Sequence, residues 1–169
     1  MRRDATVRIG NSALFPAVLF VSVLGFTASL TAFSGAADTA QASSIPAAQL
    51  IQPAELVSLL QAKGSEKPLV IQVGSRVLYE EAHISGSEYF GPASSPEGRE
   101  KLRQRLQSVP RGKIVILYCG CCPWSHCPNV KPAWDVVQSL GFTKAKILYI
   151  ANNFGTDWVD KGYPVAKGQ

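Results

Sequence analysis

Residues 113–118 read KIVILY, and residues 119–129, directly after them, read CGCCPWSHCPN. The first piece is short, apolar and rich in β-branched residues, the signature of a buried strand. The second holds all four cysteines of the chain, Cys119, Cys121, Cys122 and Cys127, and one of its two histidines, His126. Residues 130–140 follow with Ala133, Trp134, Val136, Val137 and Leu140 at helical spacing. Asn129 suits the N-cap, and Pro132 is tolerated in a first turn whose N–H groups have no helical partner. Gly141 suits the stop. The cysteine stretch is therefore a loop from the C-terminal end of a strand to the start of a helix. Open α/β sheets bind their ligands at that end. A cysteine there faces free N–H groups and the positive end of a helix dipole, and both favour the thiolate.

Outward from this loop, helices and strands alternate. Residues 53–62 predict a helix, with Pro53 at its first position, Leu56, Leu59 and Leu60 on one face and Gly64 as the stop. Residues 69–73 predict a strand, 75–82 a short helical turn and 87–90 a short strand. A second helix runs from a Ser95-Pro96-Glu97 start to about Ser108, with Leu102 and Leu106 as its apolar stripe. Its Arg99, Lys101, Arg103 and Arg105 read as a solvated face. Residues 145–150 predict another strand and 156–161 a last short helix. There is no internal repeat. The alternation predicts a single α/β domain whose mostly parallel sheet is covered by helices on both faces.

The 169 residues, 46% hydrophobic and 17% charged, allow one domain with an ordinary core. The net charge of +5 is spread along the chain without a nucleic-acid-binding motif, so no nucleic-acid partner is expected; mild basicity favours anionic substrates. Residues 1–42 read as a secretory signal peptide. Arg2, Arg3 and Arg8 start it, no charge occurs between residues 9 and 37, and Ala40-Gln41-Ala42 offers a small-x-small cleavage site. The other reading is an uncleaved membrane anchor, since the apolar run of residues 13–33 matches the roughly 20 residues that span a bilayer. Cleavage leaves a mature domain of residues 43–169, exported and in a periplasm-like, oxidising compartment.

Three stretches in order resemble the rhodanese family of sulfurtransferase domains. The strand, Cys119, loop and helix are similar to its active-site loop. Upstream, residues 68–89, PLVIQVGSRVLYEEAHISGSEY, resemble a buried strand followed by the family's histidine-containing turn, here Ala82-His83-Ile84-Ser85-Gly86-Ser87. Downstream, Asn153-Phe154-Gly155, Trp158 and Gly162-Tyr163-Pro164-Val165 resemble its closing segment. The likeness runs over residues 46–169. It implies a rhodanese-like fold and a rhodanese-type sulfurtransferase activity. Cys119 would carry a sulfane sulfur as a persulfide, taken from a donor such as thiosulfate and passed to a thiol or cyanide. No cofactor is implied. A thiol reductant protein is a natural partner, and a membrane is one only if the N-terminal segment stays uncleaved.

Such a site needs an acidified thiol, a ring of donors around the anionic persulfide and access for a second nucleophile. Gly120, Cys121, Cys122, Trp124 and Ser125 can offer N–H groups; Pro123 cannot. The chain departs from the family here. Its loop is longer and lacks the usual arginine, which leaves His126 or Lys131 to supply positive charge. Gln72 and Gly74 stand where an acidic and a basic residue are usual. A Cys-x5-Arg phosphatase loop is a weaker reading, because no cysteine has an arginine six residues on. The extra cysteines have three readings. Cys121 or Cys122 resolves the persulfide; or Cys121, Cys122 and Cys127 supply a disulfide that staples the loop; or Cys119, Cys122, His126 and Cys127 bind zinc. A non-catalytic module that binds a metal or a redox partner through this cluster is the alternative to the enzyme. His83 reads as structural, Trp124 as a loop-rim residue, and Trp134 and Trp158 as core.

Overall fold

A computed structural model describes residues 45–64 and 66–168. The expected signal segment, its cleavage site and the expected start at Ser43 lie outside the described residues. Among the described residues, no helix is long and apolar enough to cross a membrane.

The KIVILY run forms the central strand β5 (Val115–Tyr118), buried at every position. Its neighbours are β2 (Leu69–Gln72) and β6 (Ala145–Leu148), both parallel to it. Outside these lie β4 (Glu88–Tyr89) and β1 (Leu50–Ile51), giving the order β1-β6-β5-β2-β4 with every pairing parallel. Strands buried on both faces need no apolar–polar alternation, which is why β2 and β5 read as continuous apolar runs.

The strands instead alternate between two cores. Ile71, Val73, Val115, Leu117, Cys119, Ala145 and Ile147 point to one side. There they meet Leu102 and Leu106 of α3 (Pro96–Gln107) and Val130, Ala133, Trp134 and Val137 of α4 (Val130–Ser139). Val70, Ile116, Tyr118 and Leu148 point to the other side, onto Leu56 of α1 (Pro53–Gln61) and onto Phe154 and Trp158. Trp158 belongs to a wide, π-type turn over Gly155–Val159 and is fully buried. As expected, Trp134 and Trp158 are core residues.

Local signals set the helix ends. Pro53 opens α1, and Ser95 caps α3 by accepting the Gly98 N–H at 3.0 Å. Gly141, at φ 77°, ends α4 in the left-handed region. α2 (Arg76–Glu81) fills the expected turn. The basic face of α3 is more tied down than a solvated face would be. Arg105 grips Glu88 of β4 through two bonds, 2.7 and 2.9 Å, and Arg99 donates to the Ala93 and Ser94 carbonyls.

Three strands of two residues each fall outside the sequence reading of elements. β1 is one. The others are β7 (Val165–Ala166) and β3 (His83–Ile84), which pair antiparallel with each other. This pairing puts the closing segment against the histidine turn. Trp158 Nε1 donates to the Pro164 carbonyl at 3.0 Å. His83 is buried, stacks on Tyr79 with ring centroids 3.8 Å apart, and holds the Tyr79 carbonyl at 2.7 Å through Nδ1. That is the structural role its sequence context predicts.

Candidate functional site

Cys119 follows β5 directly, so its position is fixed by the strand, and its side chain is buried at 3% exposure. Three residues that carry no charge define its surroundings. Gln72, at the end of β2, is buried; its Nε2 donates to the Cys119 carbonyl at 3.2 Å and its Oε1 accepts the Gly74 N–H at 3.1 Å. Gly74 lies against the sulfur itself: a Cβ there would stand 2.7 Å from Cys119 Sγ and 3.1 Å from its carbonyl oxygen. Asn129 does not cap α4 with its side chain. Its Nδ2 donates to Cys119 Sγ at 3.4 Å and its Oδ1 accepts the Ser94 N–H at 2.9 Å. Where an acidic and a basic residue are usual, the chain thus holds an amide and a glycine whose missing side chain leaves room for the sulfur, and both adjoin Cys119.

The other cysteines gather at the same place. Cys119 Sγ lies 3.2 Å from Cys121 Sγ, which lies 3.1 Å from Cys122 Sγ. The sulfurs of Cys119, Cys121 and Cys127 are all within 4.8 Å of one another. All four cysteines are free thiols at these separations; Cys119 and Cys127 are buried, Cys122 is half-buried and Cys121 is exposed. The zinc quartet read from the sequence is not assembled: the clustered set has Cys121 in place of Cys122 and leaves His126 out. His126 is exposed and pairs with Ser125 Oγ at 3.0 Å.

Of the clustered thiols, Cys121 is the one whose pKa is lowered. Hydrogen bonds from the Cys119 thiol first, then from that of Cys127, hold its thiol well below the usual range. The same bond with Cys121 pushes Cys119 up, with burial adding to it. Cys127 is pushed up by its bonds to Cys119 and Cys121, and Cys122 by burial. The sequence reading placed the acidified thiol at Cys119. The structure places it one step outward, because a thiolate is less costly where water reaches it and two neighbouring thiols donate to it.

The loop's other expected donors are used differently. The Trp124 N–H donates to the Ile150 carbonyl at 2.8 Å, so it does not face a persulfide. The Trp124 side chain packs on the α3–α4 core and lies 6.2 Å from the Tyr149 ring; it anchors the loop more than it rims it. The N–H of Cys121 does face Cys119 Sγ. Gly120, at φ 87°, packs so closely that a Cβ would sit 2.9 Å from Phe154 Cβ. Lys131 does not supply the missing charge. Its Nζ is bound to both Asp135 oxygens, at 2.5 and 2.7 Å, and it lines an outer groove with Arg99 and Arg103.

A cleft of about 440 Å³ opens above Cys119, Gly120 and Cys121. Leu78, Ala82, Phe154, Val159 and Val165 make its walls apolar, with Glu81 and Lys167 as its charged lining. Lys167, just after β7, is the cation that the sequence reading missed. Only the pairing of β7 with β3 brings it here, and two residues carry no readable strand period.

No family model matches the chain, and no curated protein matches it. Solved structures do. The solution structure of the rhodanese-like domain of the Anabaena sp. protein Alr3790 aligns with 70% of this chain and 79% of its own, at TM-score 0.51 and 19% identity. The crystal structure of Alr3790 aligns with 70% of this chain and 92% of its own, at TM-score 0.54 and 20% identity. The anaerobic ergothioneine biosynthesis enzyme from Chlorobium limicola, in complex with trimethyl histidine, aligns at TM-score 0.53 and 21% identity over 70% of this chain, but only 28% of its own. The chain has a rhodanese-like fold. Its site is a cluster of cysteines on the loop that follows the central strand.

Proposed function

We propose that this domain is a rhodanese-type sulfurtransferase that carries sulfane sulfur on Cys119. The observation that carries the reading is a buried strand-end sulfur on the lining of a cleft, with a second, exposed sulfur 3.2 Å away. Cys119 reacts as its thiolate, its proton passing by way of the exposed Cys121 to solvent. The Cys119 thiolate then attacks the outer sulfur of a donor such as thiosulfate. A new S–S bond forms as the donor's breaks, and sulfite leaves with the bonding pair. An acceptor thiolate attacks the outer sulfur of the persulfide and restores the Cys119 thiolate. If Cys121 attacks the inner sulfur instead, hydrosulfide leaves and a Cys119–Cys121 disulfide remains, which a dithiol reductant protein reopens. The apolar walls favour an organic thiol over cyanide as acceptor. Among the solved structures of similar fold is one of EanB with a cysteine persulfide, in a tetrahedral intermediate state with ergothioneine. Persulfide chemistry is thus compatible with a chain of which this fold forms about a quarter.

Intact mass tests the reading. Reduced protein exposed to thiosulfate gains one sulfur atom and loses it to dithiothreitol. Cys119→Ser gains none, while Cys121→Ser still gains it but loads more slowly. Sulfur uptake by Cys119→Ser overturns the assignment. Export belongs to the same proposal, and N-terminal sequencing of the native protein should find a start near Ser43; an intact Met1 on a cytoplasmic protein refutes it.

A further inference from the structure

The three clustered sulfurs offer more than one nucleophile. We infer that Cys119, Cys121 and Cys127 form a trithiolate cup for a single soft cation, with monovalent copper as the best-fitting ion. Sulfurs bound about 2.3 Å from one ion stand roughly 3.8–4.0 Å apart. These three already lie within 4.8 Å of one another, and the closest pair is at 3.2 Å. Small side-chain rotations are enough to close the cup.

The donor set selects the ion. Thiolates favour monovalent copper and zinc over hard cations. Zinc completes a tetrahedron of four. Here, among the described residues, no histidine or carboxylate joins the three sulfurs. A three-sulfur set suits monovalent copper, which is content with trigonal coordination.

The surroundings are built as metal sites are. Asn129 touches two of the three sulfurs. Its Nδ2 donates to Cys119 Sγ, and its backbone N–H donates to Cys127 Sγ. Such partners orient the ligands and moderate their charge. Cys119 and Cys127 are buried and Cys121 is exposed, so the cup has a closed base and one open side for entry. As each S–metal bond forms, the sulfur releases to solvent whatever proton it held. Cys119 cannot hold a metal and a sulfane sulfur together, so the ion excludes the persulfide and switches sulfur transfer off.

The test uses the full chain, reduced and anaerobic, titrated with monovalent copper against a chromophoric copper chelator. The expected result is one ion per chain, held against the chelator. Cys121→Ser and Cys127→Ser each weaken binding by more than roughly a hundredfold, and Asn129→Ala by roughly tenfold, the range for an outer hydrogen-bond partner. Cys122→Ser and His126→Ala leave the affinity unchanged. Because Cys121 is exposed, Cys121→Ser keeps the fold and stays decisive even if Cys127→Ser does not fold. Complete loss of copper to the chelator in the unsubstituted protein overturns the inference. So does an effect of Cys122→Ser or His126→Ala equal to that of Cys121→Ser. Copper binding is read without any sulfur donor, so a chain that fails to transfer sulfur can still pass this test, and the reverse.

Discussion

Strands β2 and β5 lie side by side in parallel register, with Gln72 opposite Tyr118, and each hands the chain on to a helix. They do so in different ways. After β2 the connection is only Val73, Gly74 and Ser75, and its bonds come from amides: the Val73 N–H to the Tyr118 carbonyl at 2.8 Å, and the Gln72 side chain to Gly74 and Cys119. After β5 the chain takes residues 119–129 to cover the same step, and sulfur fills much of the added length. The short connection is made of groups that neither titrate nor react, and it holds still. The long one is made of thiols, which exchange protons, electrons and metals. What keeps the reactive connection in place is borrowed from inert neighbours, Gln72 on one side and Asn129 on the other. In this molecule positioning and chemistry are assigned to different residues.

The sharpest way to break that division is to crowd the inert turn. Gly74→Ala places a methyl 2.7 Å from Cys119 Sγ. Displacing the sulfur should cost about 1–3 kcal/mol in a urea unfolding series, the usual scale of overpacking. The same variant should take up no sulfur from thiosulfate by intact mass. Normal uptake would show that Cys119 does not react from this position.

A smaller effect is expected on the other side. Asn129→Ala removes the donor to Cys119 Sγ and leaves the Ser94 N–H to water. Because Ser94 is exposed, the loss should be about 1 kcal/mol. Asn129→Asp separates the two jobs. It keeps the acceptor for Ser94 but sets a carboxylate beside the sulfur. Stability should recover relative to Asn129→Ala while sulfur loading falls further, as measured by unfolding and by mass on the same samples.

The smallest effect belongs to Lys131. Its pairing with Asp135 is a surface i,i+4 contact, so Lys131→Ala should change stability by under about 0.5 kcal/mol. Sulfur uptake should not change. A clear fall in uptake would mean that Lys131 swings toward the loop and that charge, after all, helps hold Cys119.

How much of this could be read in the sequence follows from the length of each signal. The runs at 69–73 and 113–118 give buried strands, and the helices at 53–62, 95–108 and 130–140 keep their ends within a residue or two, because several apolar positions and a cap or stop agree. Strands β1, β3 and β7 were not legible, since two residues show no period. The cysteine loop gave the position of Cys119 but not the grouping. Spacing left Cys121 and Cys122 both open as its partner, and the turn at Gly120, with its positive φ, brings Cys121 there. Gln72 and Gly74 stood out only as departures from a resemblance. A side chain's absence at Gly74 is legible only once the sulfur beside it is placed. Asn129 was read as a cap by position, while its side chain is spent on Cys119 and Ser94.

The exchange of charge for amides around Cys119 has a consequence in terms of ionic strength. Anion sites built from arginine and lysine weaken as salt is added, because mobile ions screen the attraction over a Debye length of about 10 Å at 0.1 M. Gln72 and Asn129 act by direct contact and carry no net charge, and the cleft's Glu81 and Lys167 oppose one another. The reactivity of Cys119 should therefore stay nearly level from dilute buffer to concentrated salt.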